Sequence, residues 1–122
     1  MNLKDLEIYR LSMELGEKVY DAAINMDYFN KDTSAKQWVR AMDSVSLNIS
    51  EGFGRYSYRD QRNFYYFSRG SLNESATCLE KARNRKQISE EMYEALLKEH
   101  NILAIKLNNF INSVTKLINN TK

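Results

Sequence analysis

The sequence predicts an all-α protein, an antiparallel up-down-up-down four-helix bundle formed as a single domain over residues 1–122. Three observations carry this. Proline is absent and glycine occurs four times, too little punctuation for a β-rich domain of this size. Apolar residues recur at alternating spacings of three and four along four separate stretches, the interval that returns a side chain to one helix face. The breaks between the stretches are short and hold turn and capping residues, so consecutive helices should fold back on one another.

The first helix is predicted over residues 3–26, with Leu6, Tyr9, Met13, Gly16, Tyr20 and Ala23 on one face. Residues 27–34 interrupt the pattern and supply Asn30, Asp32, Thr33 and Ser34 as turn formers. The second helix carries Ala35, Trp38, Met42, Val45 and Ile49. It should end near Gly52 and Gly54, which can take the positive-φ conformation of a helix C-cap. Ser57 reads as the N-cap of a third helix running to about Arg85, with Asp60 three residues on in an approximate capping box. Phe64, Phe67, Ser71, Ser75, Cys78 and Ala82 mark its expected buried face. Several of these are small, so a neighbouring helix should approach closely.

Ser89 caps the fourth helix, with Glu90 and Glu91 in its first turn, where negative charge complements the macrodipole. Its seam reads Leu96, His100, Leu103, Leu107, Phe110, Val114 and Leu117. Leu97, Ile102, Ile105, Ile111 and Ile118 lie off that seam. So wide an apolar face exceeds what a monomer's surface helix needs, and a homo-oligomer is expected to use it. The core expected from these patterns is Leu6, Trp38, Val45, Ile49, Phe64, Phe67, Leu79, Leu103, Leu107 and Phe110.

Hydrophobic residues make up 43% and charged residues 28% of the chain, the balance of a globular rather than a disordered protein. The formal charge is only +2, but it is unevenly spread. Residues 1–35 carry net −3, residues 36–86 net +5 and residues 87–122 none. Seven of the eight arginines fall in the middle block, which implies a basic face able to attract phosphate or an acidic protein. Cys78 stands alone and His100 is the single histidine, so neither a disulfide within the chain nor a zinc site is expected. The chain opens on charged residues without an apolar run of signal-peptide length, and no stretch approaches the ~20 apolar residues that span a bilayer. A cytoplasmic location with no membrane partner is the expectation.

The middle of the chain carries a distinctive text. Gln37-Trp38-Val39-Arg40-Ala41 leads to Ser44-Val45-Ser46-Leu47-Asn48-Ile49-Ser50-Glu51-Gly52-Phe53-Gly54-Arg55, followed by Ser57, Phe64 and Arg69-Gly70-Ser71-Leu72-Asn73-Glu74. This resembles the four-helix-bundle family named for proteins encoded in intervening sequences of large-subunit rRNA genes, often labelled ribosomal-protein-like. The opening Leu3-Lys4-Asp5-Leu6-Glu7-Ile8-Tyr9 loosely matches the family's start. The family's Phe-Pro after the first helix is missing, Val39-Arg40 replaces its paired arginines and Trp38 replaces a leucine. The resemblance implies a homopentamer. A related branch, the accessory variability determinant of diversity-generating retroelements, implies a basic pentamer that binds a reverse transcriptase and nucleic acid.

Arg40, Arg55, Arg59, Arg62, Tyr66 and Arg69 are the candidate nucleic-acid-binding residues. At ~100° per residue, Arg59, Arg62, Tyr66 and Arg69 share one arc of the third helix, away from its expected core face. Guanidinium forks pair with phosphate oxygens, and an interleaved tyrosine can stack on an unpaired base. The competing reading is a solvated face satisfied by carboxylates of neighbouring subunits. Asn48, Glu51 and Glu74 are read as a structural polar knot at the turn between helices two and three, with Arg40 or Arg55 as partner. His100 is expected to be a hydrogen-bonded core or interface residue, Cys78 a small core residue, and Trp38, Tyr65 and Tyr66 packing or interface anchors. No acid, base and nucleophile converge and no glycine-rich phosphate loop is present, so neither enzymatic activity nor a cofactor is expected. Two functions remain: a non-enzymatic oligomer associated with RNA or another nucleic acid, or a scaffold that docks an acidic protein or a reverse transcriptase without touching nucleic acid.

Overall fold

The computed structural model describes residues 1–121. Four long helices make up the fold: α1 (Glu7–Ile24), α2 (Lys36–Phe53), α3 (Tyr58–Asn84) and α4 (Glu90–Asn120). A 3-10 turn, Leu3–Asp5, leads into α1. The break after α1 is tighter than the turn formers imply. Asp27 caps a short helical turn, Tyr28–Asn30, by accepting the Asn30 N–H at 2.9 Å, and a π-helical turn, Lys31–Ala35, runs straight into α2. Asp32 and Thr33 therefore sit within helix, where Asp32 pairs with Lys36 and the Thr33 hydroxyl bonds back to the Phe29 carbonyl.

The other helix starts follow their local chemistry. Ser57 accepts the Asp60 N–H and Ser89 the Met92 N–H, each at 3.1 Å, so one orphan donor at each helix start is satisfied. The helix ends differ from expectation. Gly54 caps α2 with φ −81°, and among the described residues no glycine has positive φ. The left-handed position is Lys86, φ 58°, just beyond α3, where Gln87 N–H bonds back to the Ala82 carbonyl at 2.8 Å. Gly52 serves packing instead: a Cβ there would lie 2.7 Å from Tyr65 Cε1 and 3.0 Å from the Gln61 carbonyl oxygen.

Cross-helix pairs set the topology. Glu7 meets Lys106 and Lys18 meets Glu99, so α1 and α4 run antiparallel. Val45 meets Ser68 and Trp38 meets Ser75 across α2 and α3. Arg62 meets Thr115 and Ser75 meets His100 across α3 and α4. Each pairing runs up one helix and down the other, and α1 also packs on α2. The result is the up-down-up-down bundle.

Its core contains Leu15, Val19, Trp38, Met42, Val45, Ile49, Tyr65, Leu72, Leu79, Leu103, Leu107 and Ile111. The second helix buries every residue of its predicted stripe. The first is rotated by one residue: Ile8, Ser12, Leu15, Val19 and Ala22 face inward, while Met13 and Tyr20 are exposed. The third is also turned, burying Tyr65, Ser68, Leu72, Ser75 and Leu79. Of the expected core, Phe67 is 58% exposed, and Phe64 and Phe110 are only partly buried.

A run of polar side chains crosses the core centre. Leu96 offers only a carbonyl, so His100 Nδ1, 2.8 Å away, carries the proton and Nε2 is left as acceptor. The Ser75 hydroxyl donates to that Nε2 at 2.8 Å and accepts the Trp38 indole N–H at 3.1 Å. Met42 Sδ, 3.4 Å from the same hydroxyl, is the weaker acceptor. With a neutral imidazole, the indole, the hydroxyl and both ring nitrogens all have partners. Burial holds the His100 pKa below its ordinary value.

Candidate nucleic-acid interface

The arginines of α3 form a cluster because positions 59, 62, 66 and 69 of this 27-residue helix share one flank. The turned core face brings that flank against α4. Arg62 Nη1 donates to Thr115 Oγ1 at 3.1 Å, and Arg69 Nη1 reaches Asn108 Oδ1 at 3.4 Å. Between them the Tyr66 ring lies 5.5 Å from the Arg62 guanidinium and 4.9 Å from that of Arg69. Cation–π contacts of this kind are worth about 0.5–1 kcal/mol at exposed sites. They hold two like charges beside one aromatic ring. Tyr66 thus positions the arginines, a role its spacing alone did not disclose.

Among the described residues, Arg59, Arg62 and Arg69 make no ion pair, and the side-chain partners of Arg62 and Arg69 are neutral. Arg55 and Arg83 differ. Arg55 pairs with Glu51 at 2.7 Å, approaches Asp60 at 3.7 Å and lies 4.6 Å from the Phe64 ring centre. Its charge is spent at the α2–α3 turn. Arg83 pairs with Glu90 at 2.9 Å across the α3–α4 turn. Arg40 is exposed on α2, across the bundle, and helps line a recess of about 410 Å³ between α1 and α2 with Tyr20, Ile24, Lys31 and Lys36. The structure therefore gathers Arg59, Arg62, Tyr66 and Arg69, and sets Arg40 and Arg55 apart.

The polar residues expected to form a knot at the α2–α3 turn do not close into one, and Asn48 and Glu74 lie within α2 and α3. Asn48 donates to the Ser44 carbonyl and hydroxyl at 2.8 and 2.9 Å, and Ser71 donates to the same hydroxyl. Glu51 is exposed and engages Arg55. Glu74, exposed a full turn beyond Ser71, makes no hydrogen bond or ion pair with either among the described residues. Small hydroxyls do the bridging that the longer carboxylate was expected to do.

The lower end of the flank holds residues that helical spacing does not single out. Tyr56 is fully exposed in the α2–α3 turn, and Tyr58 is partly exposed in the first turn of α3. With Ser57, Arg59, Ile118 and Thr121 they border a recess of about 650 Å³. Turn residues have no period, so only their type could have marked them.

The family model of the 23S rRNA-intervening sequence protein matches residues 4–109. The chain belongs to that family. Among solved structures it is similar to a protein of unknown function from the S23 ribosomal protein family of Bacteroides thetaiotaomicron VPI-5482, at 22% identity and a TM-score of 0.77. The match covers 85% of this chain and 97% of that one, and at this identity it shows the shared fold. No curated protein matches this chain. Among the described residues of this family member, no cluster of metal-ligating side chains is present, and no helix is long and apolar enough to cross a membrane.

Proposed function

We propose that this 23S rRNA-intervening sequence family member is a non-enzymatic, oligomeric protein that binds RNA through the α3 flank formed by Arg59, Arg62 and Arg69. The observation that carries the reading is the contrast among arginines. Where a carboxylate is in reach, as at Arg55 and Arg83, it is used; on the flank, three guanidiniums sit side by side with neutral partners or none among the described residues. Held by Tyr66, Thr115 and Asn108, Arg62 and Arg69 lose little side-chain entropy on meeting phosphate, so more of each contact appears as affinity. The family's name supports RNA as the nucleic acid concerned.

Assembly into an oligomer is supported by exposed apolar side chains elsewhere: Leu47 at 67%, Ile105 at 62% and Phe67 at 58% exposure. The pentamer remains the expectation that the family resemblance implies.

A salt titration tests the binding. Phosphate contacts release counterions, so log affinity for RNA should fall linearly and steeply with log salt. A shallow dependence, or no binding at about 50 mM salt, leaves the flank to an acidic protein partner instead.

A further inference from the structure

Tyr66 has both neighbouring guanidiniums against its ring, at 4.9 and 5.5 Å, so its aromatic surface is engaged before any ligand arrives. The free aromatic surface on this flank belongs to Tyr56 and Tyr58. Tyr56 is fully exposed, and its turn is pinned on both sides. Ser57 caps α3 through the Asp60 N–H, and Gln61 Nε2 donates to the Arg55 carbonyl at 2.9 Å. The backbone that carries Tyr56 is therefore ordered before anything stacks on its side chain. Arg59 lines the recess with both tyrosines, together with Ile118 and Thr121 at the end of α4. Its volume, about 650 Å³, lies within the ~300–1,000 Å³ of sites that hold small molecules.

We propose that the Tyr56–Tyr58 turn is the base-stacking part of the interface, and that the ligand is a single strand rather than a duplex. An unpaired base lies against Tyr56 or Tyr58 in the recess beside Arg59, and the phosphates of the same strand continue along α3 over Arg62 and Arg69. A duplex offers these tyrosines a base face only at its ends, because its other bases are stacked on one another. Arg59 and Arg69 are ten residues apart, about 15 Å along the helix. The strand in contact is therefore only a few nucleotides long. The basic flank stops there: the next positions on the same face are Asn73 and Glu80. The inference rests on the RNA-binding reading and adds which residues meet the base and which form of nucleic acid is bound.

The test uses the full chain and a labelled single-stranded 12-mer RNA at about 50 mM salt, measured by anisotropy. Its companions are the same 12-mer with abasic positions, a 12-base-pair duplex and a Glu-rich peptide. The double variant Tyr56→Ser/Tyr58→Ser should bind the 12-mer about 10-fold or more weaker, the scale of base–aromatic stacking, with an unchanged salt slope. The variant Tyr56→Phe/Tyr58→Phe should bind within about 2-fold of the parent. The abasic strand should bind the parent as weakly as the intact strand binds the serine variant. Circular dichroism confirms the fold, which exposed turn substitutions leave intact. If the serine variant and the abasic strand bind at parental strength, or the duplex binds as well as the single strand, stacking is overturned while the phosphate reading stands. If no RNA binds the parent, or the peptide alone does, both readings fall together.

Discussion

Ser75 Oγ and His100 Nε2 lie 2.8 Å apart at the centre of the bundle, where α2, α3 and α4 meet. Ser75 is the middle of a hydrogen-bonded series in which Trp38 donates and His100 accepts. Ser75→Ala leaves the indole N–H and the imidazole Nε2 unpaired in the core. The expected cost is about 2–4 kcal/mol, read as a lower denaturant midpoint with an unchanged slope. A loss under about 0.5 kcal/mol would show that the series contributes nothing to stability.

The same geometry predicts a pH dependence. Burial lowers the folded-state pKa of His100 below its ordinary value of 6.5, so the unfolded chain binds the proton more readily than the folded one. Stability from this group is fully present above about pH 6.5 and is lost as pH falls toward the folded pKa. Denaturant midpoints should therefore drop between pH 7.5 and pH 5, and His100→Leu should flatten that drop. A parent protein equally stable at both values contradicts the assignment.

Gly52 and Gly70 predict opposite outcomes for one substitution. A methyl group at Gly52 meets the buried Tyr65 ring at 2.7 Å and backbone at 3.0 Å, whereas at Gly70 nothing lies within 4 Å. Gly52→Ala should destabilise by about 1–3 kcal/mol through overpacking. Gly70→Ala, in the middle of α3, should stabilise by about 0.5–1 kcal/mol. Thermal melts of the two variants decide it, and equal shifts would contradict the close approach of α2 and α3.

Leu107 and Phe67 separate core from surface in the same way. Leu107 is fully buried, and Leu107→Ala should cost about 2–5 kcal/mol. Phe67 is exposed and its main aromatic contact is Phe64, edge-on at 5.7 Å. Phe67→Ala should cost the folded subunit no more than about 1.5 kcal/mol. A larger effect that depends on protein concentration would place Phe67 between subunits, which light scattering on the same variant would reveal.

Charge reversal isolates the flank. Arg59→Glu with Arg69→Glu should weaken RNA binding far more than Lys98→Glu with Lys116→Glu, although both pairs change net charge equally. The salt slope should fall by about one unit for each phosphate that the variant no longer neutralises. Lys106 is unsuited as a control because it pairs with Glu7 at 2.9 Å. Equal weakening by both pairs would mean diffuse attraction only.

Most of the architecture was legible because each helix carries a near-continuous apolar stripe and an N-cap serine starts both α3 and α4. The faces were harder to read where polar residues hold core positions. Ser12, Ser68 and Ser75 are fully buried because their hydroxyls bond to Tyr9, Val45 and His100, and hydrophobicity cannot announce that. Phe64 and Phe67 drew the reading of α3 toward a neighbouring face for the same reason. In α4 a strict three-four seam holds as far as Leu107, after which Ile111 and Ile118 replace Phe110 and Leu117. A straight helix drifts by ~20° per heptad, so a seam extended without supercoiling slides one residue over. The arginine cluster was legible from spacing alone. The Tyr56–Tyr58 turn was not, and neither was the left-handed Lys86, since no side-chain pattern accompanies a conformation that glycine normally takes.

Trp38 is the chain's single tryptophan, and its indole is almost wholly buried with its N–H bonded to Ser75. The molecule thus carries one natural fluorophore, placed where helices from the middle and the end of the chain converge. Its emission should shift to the red when any of α2, α3 or α4 separates from the others, so a single optical signal follows the opening of three quarters of the bundle. Ligands on the arginine flank approach from outside and never touch it, which leaves the same signal free to report folding while RNA is bound.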